Sequence, residues 1–308
     1  MKIYRDLNSL PKFKNAIVTI GTFDGVHFGH RQILKRINNL AQKHDGESVL
    51  VTFDPHPRLI VNPTDDSLRL ITTLEEKLTL LESCELQNVV VVPFDRGFSM
   101  LSAEEYVNDF LVKYFNPQKL VIGYDHRFGK GRTGNIDLLH KLSAKHNFQV
   151  EEITKQEITE IVVSSTKVRK ALEAGEIKDA NTLLGNPYFL SGTVVRGTRI
   201  GRQIGFPTAN VQTESKHKLL PKIGVYAVLV EVNNKTFKGM MNIGYKPTFH
   251  GDTKTIEVHL FDFDGDLYNQ HVKVTPVDRI RDEQKFESID AIKAQLVKDK
   301  VAALNMLG

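Results

Sequence analysis

Two histidines, His27 and His30, follow a glycine-rich stretch near the start of the chain. The string reads Gly21-Thr22-Phe23-Asp24-Gly25-Val26-His27-Phe28-Gly29-His30 and comes directly after an apolar run. If a helix begins within it, residues three apart lie on one face, and its first turn offers unpaired N–H groups to phosphates. We therefore expect two exposed imidazoles that can donate hydrogen bonds to a polyphosphate. A histidine pair alone would more often be two surface residues beside a tight turn.

A second group of polar residues lies in the C-terminal half. The glycine-rich basic loop 197–205 is suited to cradle phosphates, and it runs into Phe206-Pro207-Thr208-Ala209-Asn210. In an extended segment the side chains of Thr208 and Asn210 face one side. Their oxygens are suitable ligands for a hard cation such as Mg²⁺ beside substrate phosphates. The alternative is a polar strand edge that binds nothing.

Glu257 is the third candidate, within Thr255-Ile256-Glu257-Val258-His259-Leu260-Phe261. A strand here turns Ile256, Val258 and Leu260 towards the core. The carboxylate of Glu257 then lies on the opposite face, open to a site. The alternative is an exterior carboxylate in a weak ion pair with a lysine.

The elements that must position these residues differ between the two halves. From residue 16 to about 185, short apolar runs alternate with amphipathic stretches, which indicates an α/β fold with a parallel sheet. The predicted strands cover 16–20, 48–53, 88–92, 119–123 and 148–153. The predicted helices cover 27–44, 73–84, 103–114, 135–146, 166–174 and 177–184. Ligands of such sheets bind at the carboxyl ends of the strands, so we expect a cleft there.

Beyond Tyr188 the pattern predicts a compact antiparallel β-barrel. The predicted strands cover 189–195, 224–232, 235–243, 255–263 and 267–277, with turns at Asn233-Asn234 and Asp264-Gly265. A C-terminal helix over 288–307 should close one side of the barrel. Its apolar stripe is Ile289, Ile292, Leu296, Val297, Val301 and Leu304. A helix stop at Gly185 and the break at Asn186-Pro187 predict two domains, 1–185 and 186–308.

Composition limits the class of protein. A chain of 308 residues exceeds the ~100–200 residues of one domain, and 41% hydrophobic with 25% charged residues indicates a globular protein. No apolar run approaches the ~18 residues of a membrane span, and the charged N-terminus does not resemble a signal peptide, so we expect a cytoplasmic protein. The single cysteine, Cys84, is expected to be a small buried residue without a disulfide.

His27-Phe28-Gly29-His30 resembles the HxGH signature of the nucleotidyltransferase superfamily, whose enzymes form adenylyl adducts. The second signature of that superfamily is similar to Ser164-Ser165-Thr166-Lys167-Val168-Arg169. The resemblance implies catalytic roles for His27 and His30. It also implies an ATP site made by Gly21, Phe23, Asp24, Gly25, His27, Gly29, His30, Ser164, Thr166 and Arg169. The GxGxxG pattern at 129–134 is not assigned to a dinucleotide, because no strand feeds directly into it.

Two further stretches resemble the FMN-adenylylating module of bifunctional riboflavin kinase/FAD synthetases. They are Phe53-Asp54-Pro55-His56-Pro57 and Gly123-Tyr124-Asp125-His126-Arg127-Phe128-Gly129. In that family these positions line the pocket for FMN and ATP. The resemblance therefore implies flavin contacts by Phe53, His56, Pro57, Asp125 and Phe128. His126 stands where the family usually has an aromatic residue.

The C-terminal half resembles riboflavin kinases. Their signature is similar to Gly201-Arg202-Gln203-Ile204-Gly205-Phe206-Pro207-Thr208-Ala209-Asn210, and further blocks match residues 242–249 and 281–286. The resemblance makes Glu257 the general base toward a riboflavin hydroxyl, and it makes Thr208 and Asn210 the ligands of Mg²⁺. It implies ATP contacts by Gly197, Gly201, Arg202, Thr208 and Asn210. It implies flavin contacts by Arg281, Glu283 and Phe286.

The resemblance covers nearly the whole chain and implies a bifunctional enzyme that uses ATP and Mg²⁺. The β domain would phosphorylate riboflavin to FMN, and the α/β domain would transfer an adenylyl group to FMN, releasing FAD and pyrophosphate. One alternative keeps only the adenylyltransferase, with a non-catalytic β domain. Another is a nucleic-acid-binding regulator, which a net charge of +4 supports weakly. We expect small-molecule substrates and no nucleic-acid or membrane partner, and the oligomeric state stays open.

Overall fold

A computed structural model of the chain describes residues 1–65, 67–154, 164–197, 200–248 and 251–308. The chain divides into two compact units. The first comprises Met1–Leu68 and Lys77–Ser164, and the second comprises Arg69–Glu76 and Ser165–Gly308. No helix in the described ranges is long and apolar enough to cross a membrane. The domain boundary at Gly185 stays a prediction.

The first unit is built on a parallel sheet of six strands in the order β1-β4-β3-β2-β5-β6. The strands are β1 (Lys2–Tyr4), β2 (Ile17–Ile20), β3 (Ser48–Asp54), β4 (Asn88–Pro93), β5 (Lys119–Gly123) and β6 (Gln149–Ile153). The three strands β2, β3 and β4 are buried along nearly their whole length, as expected where both faces of a parallel sheet are covered. The prediction of a parallel α/β sheet is confirmed, and only the short edge strand β1 had no counterpart in it.

The four predicted helices between these strands are confirmed, whereas the short helices Pro57–Val61 and Arg96–Ser99 were not predicted. In the first unit they are α1 (Phe28–Lys43), α2 (Pro57–Val61), α4 (Arg96–Ser99), α5 (Ala103–Glu105, Tyr106–Val112 and Lys113–Phe115 in succession) and α6 (Ile136–His146). The helix α3 (Leu74–Glu82) begins in the segment that belongs to the second unit. The middle segment of α5 has π-helical hydrogen bonding.

Strand β2 lies where the direction of the strand order reverses. It pairs with β3 on one side and with β5 on the other. From β2 the chain proceeds through β3 and β4 on one side before it returns to β5. A crevice forms at such a point, outside the carboxyl ends of the strands. The three segments with candidate site residues, which directly follow β2, β3 and β5, therefore begin at the same edge of the sheet.

The second unit contains a closed antiparallel barrel in the order β10-β11-β8-β7-β12-β9. Its strands are β7 (Leu190–Val195), β8 (Ala209–Thr213), β9 (Gly224–Val232), β10 (Lys235–Thr248), β11 (Gly251–Leu260) and β12 (His271–Arg281). Asn233 and Asn234 form a two-residue turn with φ of 50° and 60°, as tight hairpins require. No hairpin forms around Asp264-Gly265, because β11 pairs with β8 and β10 instead of β12.

The second unit also contains the helices α7 (Ser165–Ala174), α8 (Ile177–Leu184), α9 (Ile200–Gln203) and α10 (Ile289–Leu307). The apolar stripe predicted for α10 is partly wrong. Ile289, Val297 and Val301 are 60%, 55% and 55% exposed, and Leu304 is exposed as well. Leu296 of the predicted stripe does pack against the barrel, together with Ala303 and Leu307, on the same side as the buried Asp299. A count of apolar residues misses this face, because a charged residue stands at its centre.

The segment Arg69–Glu76 is connected to the rest of the second unit by a buried ion pair. The ammonium of Lys218 lies 2.6 Å from Oε2 of Glu76, and the two side chains are 0% and 1% exposed. The same ammonium donates to the carbonyl oxygens of Ile71 and Phe189, and Ser191 N–H donates to the other carboxylate oxygen of Glu76. A buried charge pair is tolerated when its remaining donors and acceptors are satisfied in this way.

Candidate active sites

His27 and His30 lie together at the beginning of α1. Their rings are stacked with centroids 3.6 Å apart, which confirms that they share one face. His27 is the N-cap residue, and its Nδ1 accepts a hydrogen bond from the His30 N–H at 3.3 Å. The expectation that His27 is exposed is wrong, because its side chain is buried in this capping position. The ring centroids of Phe23 and His30 lie 4.8 Å apart, so the two rings are in contact.

The turn before α1 holds an uncommon backbone conformation. Phe23, Gly25 and Val26 have φ angles of 48°, 84° and 41°. Positive φ costs little at glycine but is a real outlier for a β-branched residue such as Val26. Strain of this kind concentrates at functional sites. Asp24 is buried in the same turn.

Burial holds the pKa of His30 well below its ordinary value, with smaller contributions from His27 and Lys77. His30 is therefore neutral at pH 7. Its Nδ1 makes no hydrogen bond within the described part of the chain. A buried ring nitrogen without a partner is expensive, so a ligand that approaches His30 would gain a polar contact.

Lys77, which the sequence did not single out, lies beside this turn. Its ammonium donates to Thr52 Oγ1 at 2.8 Å and to the Thr22 carbonyl at 3.1 Å. Burial lowers the pKa of Lys77 to about 8, against the opposing attraction of Asp24 and Asp54. The side chain thus ties β3 to the turn after β2. Its position as the fifth residue of the predicted helix 73–84 gave no sign of this contact.

The predicted flavin residues of the first unit fall into two kinds. Phe53 and Phe128 are linked through aromatic rings, since Phe98 lies 5.7 Å from Phe53, and Tyr106 lies 6.0 Å from Phe98 and 5.0 Å from Phe128. Phe98 was missed, although it follows β4 at the same sheet edge. The other three residues are not part of this group of rings. His56 is the N-cap of α2, Pro57 is the first residue of that helix, and Asp125 is exposed.

His126 stacks on Phe128 with ring centroids 5.8 Å apart. Burial lowers the pKa of His126 to about 4, with Asp125 opposing and Arg132 adding to the shift. The ring is therefore neutral at pH 7. A neutral imidazole stacked on a phenylalanine retains part of the flat surface that an aromatic residue would present.

The residues of the second nucleotidyltransferase signature lie at the start of α7. Ser164 ends the first unit, and Thr166 and Arg169 belong to the second. Thr166 is exposed in the first turn of α7. Arg169 Nε donates to the carbonyl oxygen of Arg69 at 2.8 Å. Their predicted contact with ATP phosphates stays a prediction.

Thr208, Asn210 and Glu257 come together in the second unit, as predicted. The hydroxyl of Thr208 donates to Oε2 of Glu257 at 3.2 Å. Asn210 on β8 stands directly opposite Glu257 on β11. A Cβ atom at Gly197 would lie 2.1 Å from the amide nitrogen of Asn210, so a larger residue there would displace the Asn210 side chain. Three oxygen-bearing side chains thus face one another beside the glycine-rich loop.

Thr208 lines two cavities, each of about 320 Å³. The first is lined by Glu257, Gly201 and the three predicted flavin residues Arg281, Glu283 and Phe286, together with apolar side chains such as Met240 and Met241. The second is lined by Arg202 and Thr208, with Asp264, Asp266 and Tyr268 opposite. Each has the volume of a small-molecule site. The sequence did not reveal that one residue borders both.

His259 also borders the first cavity and was missed as a site residue. Its Nδ1 lies 2.7 Å from the carbonyl oxygen of Pro207, so Nδ1 carries the hydrogen and donates it. Burial lowers the pKa of His259, partly opposed by this hydrogen bond. The contact fixes the backbone directly before Thr208. The alternation along β11 assigned His259 no role, because it marks only which face a residue takes.

Family comparisons assign the two parts of the chain separately. Residues 10–167 match the family model described as FAD synthetase, and residues 184–307 match the one described as riboflavin kinase. Together the two matches span most of the chain. The first includes the histidine pair and the aromatic cluster, and the second includes both cavities of the barrel unit.

Curated relatives match along the full length. A protein of Escherichia coli (strain K12) named bifunctional riboflavin kinase/FMN adenylyltransferase is 38% identical, covering 100% of this chain and 98% of its own. Proteins of the same name from Listeria monocytogenes and Bacillus subtilis are 37% and 36% identical, over 93% and 94% of this chain and 90% and 92% of their own. A crystal structure from Streptococcus pneumoniae, named a macrolide-efflux protein, has a TM-score of 0.84 at 30% identity, covering 99% of this chain and 98% of its own.

Proposed function

The chain belongs to the bifunctional riboflavin kinase/FMN adenylyltransferase family, and on that premise we propose which of its residues carry each reaction. The enzyme phosphorylates riboflavin to FMN and adenylylates FMN to FAD, with ATP as the second substrate of both steps. We assign adenylyl transfer to domain 1–185 and phosphorylation to domain 186–308. The cytoplasm is the proposed location, and the substrates are small molecules only.

We propose that Glu257 is the general base of the kinase reaction. The contact between Thr208 Oγ1 and Glu257 Oε2 supports this most directly, because it places the carboxylate at the junction of the two cavities. A riboflavin hydroxyl in the first cavity can give its proton to Glu257 as its oxygen attacks the γ-phosphorus of ATP, while the bond from that phosphorus to the bridging oxygen breaks and ADP leaves. No covalent intermediate with the protein is needed, since positioning and charge neutralisation supply most of the rate.

The donor set at this junction fits Mg²⁺. The hydroxyl of Thr208 and the side-chain carbonyl of Asn210 are hard oxygen ligands, and Glu257 adds a negative charge nearby. Thr208 and Asn210 would hold the ion, which would neutralise charge on the ATP phosphates. The proposed ATP contacts are Gly197, Gly201, Arg202, Thr208 and Asn210. Arg202 supports a phosphate site because it borders the second cavity together with Thr208.

The first cavity is the proposed riboflavin site. Apolar side chains and a few polar groups line it, which is typical of a pocket for a flat organic ligand. Phe286 offers a ring for stacking, and Arg281 and Glu283 offer hydrogen-bonding groups of opposite charge. The alternative of a non-catalytic β domain requires that Glu257 and Thr208 meet beside two cavities without using them.

For adenylyl transfer we propose that His27 and His30 donate hydrogen bonds to the ATP phosphates as pyrophosphate leaves. The unpartnered Nδ1 of His30 supports this role. Preformed donors stabilise charge that develops in a transition state without further reorganisation. Gly21, Phe23, Asp24, Gly25 and Gly29 complete the turn around ATP, and Ser164 supplies a further phosphate contact. Phe53, His56, Pro57, Asp125 and Phe128 hold FMN.

Chromatography of flavins tests these assignments. The enzyme is incubated with riboflavin, ATP and Mg²⁺, and FMN and FAD are separated over time. Glu257→Gln should lower FMN formation by ~10²–10⁴-fold, the usual contribution of a general base. FAD formation from supplied FMN should not change. Parental FMN formation by Glu257→Gln would show that Glu257 is only an exterior strand carboxylate.

A further inference from the structure

The guanidinium of Arg281 is held by a residue on the C-terminal helix. Nε of Arg281 lies 2.9 Å and 3.1 Å from the two carboxylate oxygens of Asp299, and Nη2 lies 2.7 Å from Oδ2. This is the side-by-side geometry of a bidentate arginine–carboxylate pair, the most directional ion pair in proteins. Arg281 borders the first cavity, whereas Asp299 does not.

Asp299 is bound on both sides and shielded from water. It is 1% exposed, and Gln295, one turn earlier on α10, donates to its Oδ1 at 2.8 Å. A carboxylate at such a depth is tolerated only when it is paired, because removal from water costs several kcal/mol. An apolar residue of this size would pack the helix against the barrel without the cost of removing a charge from water. The retention of a charge here points to a task beyond packing.

The contacts of Arg281 leave part of its guanidinium for a ligand. Nη1 donates to the Asp282 carbonyl at 2.9 Å, and the Phe286 ring lies 5.8 Å from Cζ. Of the five N–H groups of an arginine, these contacts occupy three within the described part of the chain. The other two N–H groups stay free of protein partners there. These two N–H groups are part of a guanidinium that borders the cavity and that its protein contacts hold in one orientation.

We propose that Asp299 is a positioning residue for riboflavin, which acts through Arg281. Without the carboxylate, the flexible Arg281 side chain would be released beside Glu257 and Glu283, two acidic residues that border the same cavity. An ion pair with either would place the guanidinium where the flavin should bind. The inference rests on the proposed function, since it requires that the first cavity binds riboflavin. It adds that helix α10 sets the affinity for that substrate.

Steady-state kinetics of Asp299→Asn provide the test. Asparagine keeps the shape but loses the charge, so the KM for riboflavin should rise by ~10–100-fold, the range seen when outer partners of metal-binding residues are lost. The kcat for FMN formation and the KM for ATP should stay within about 3-fold, because a misplaced ligand contact removes ground-state binding. A purely structural role would lower the melting temperature and leave the KM for riboflavin unchanged, which would overturn the proposal.

A double-mutant cycle with Arg281→Lys separates this inference from the proposed function. Lysine cannot form the bidentate pair, so Asp299→Asn should add little to the effect of Arg281→Lys on the KM for riboflavin. If Arg281→Lys leaves that KM unchanged, the cavity is not the flavin site and the proposed function fails. If Arg281→Lys raises it but Asp299→Asn does not, only the present inference fails.

Gln295→Ala covers the case in which Asp299→Asn does not fold. It removes one hydrogen bond from the carboxylate and keeps the ion pair, so folding should be preserved. The KM for riboflavin should rise by a smaller factor in the same direction, again without a change in kcat. An unchanged KM for riboflavin would overturn the proposal.

Discussion

The Thr208 hydroxyl donates a hydrogen bond to Glu257 Oε2 at 3.2 Å, across two strands that pair in the wall of the barrel. This contact joins the predicted metal ligand to the predicted base. Residues 49 positions apart in the chain therefore lie at one point, beside the two cavities that share Thr208. Phosphoryl transfer requires such a point, because the attacking hydroxyl and the leaving oxygen of ATP must lie roughly in line through the γ-phosphorus, with the base and the metal close by.

Thr208→Val should raise the Mg²⁺ concentration needed for half-maximal riboflavin phosphorylation. Valine keeps the shape of threonine but removes one oxygen ligand. Titration of Mg²⁺ at saturating ATP measures the effect. Thr213→Val, at the far end of β8, is the matched control and should leave the requirement unchanged. An unaltered requirement in Thr208→Val would show that its hydroxyl serves only the contact with Glu257.

Substitutions at His27 should separate its capping role from catalysis. His27→Ala removes both the N-cap and a phosphate donor, whereas His27→Asn retains a side chain suited to capping. We expect both variants to accumulate FMN, with adenylyl transfer lowered by ~10²–10³-fold for the lost donor. Only His27→Ala should also have a lower melting temperature, because only alanine removes the N-cap. Parental FAD formation by His27→Asn would assign the imidazole to capping alone.

Much of the fold could be predicted because periodicity records burial. The apolar runs at β2, β3 and β4 predicted a parallel sheet, and Asn233-Asn234 predicted a hairpin turn. The prediction for helix α10 was partly wrong because it also relied on apolar periodicity, which does not detect a buried charged residue. Its inward face centres on Asp299, whose burial depends on Arg281, and no local pattern records a partner 18 positions away.

The candidate sites show a similar division. Glycine-rich strings and paired polar residues marked His27, His30, Thr208 and Glu257. Residues that support them were not found, because Lys77 and His259 act through contacts with backbone carbonyls of other elements. Such contacts follow from tertiary structure and leave no spacing in the sequence.

Lys77 should make the stability of the first unit depend on pH in the alkaline range. Its pKa falls from 10.5 to about 8 on folding, so the unfolded chain binds more protons between these values. Stability therefore rises with pH across that window. The free energy of unfolding of the parent, relative to Lys77→Met, should rise by up to about 3 kcal/mol from pH 8 to 10.5. Denaturant titrations at several pH values measure it.

Lys35→Met is the control for that series, because Lys35 is exposed on α1. The difference between the parent and Lys35→Met should stay constant over the same pH range. A constant difference for Lys77→Met as well would mean that Lys77 is charged to the same extent in the folded and unfolded chain. Its two hydrogen bonds would then outweigh the effect of burial.

The fragment 186–308 should phosphorylate riboflavin by itself, because it contains every residue that lines the first cavity. Its melting temperature should be lower than that of a fragment 165–308, since it lacks α7 and α8. Both fragments lack Glu76, the partner of Lys218, so both should be less stable than the full chain. A folded fragment 186–308 that binds riboflavin and ATP without forming FMN would contradict the domain assignment.

Mixing two inactive variants tests the central claim, that separate residues in one chain carry successive reactions. From riboflavin and ATP, Glu257→Gln should form almost no FMN, and His30→Gln should form FMN that accumulates. An equimolar mixture should form FAD, because FMN released by His30→Gln is adenylylated by Glu257→Gln. FAD formation by either variant alone at the parental rate, or a mixture that accumulates FMN without FAD, would contradict the account.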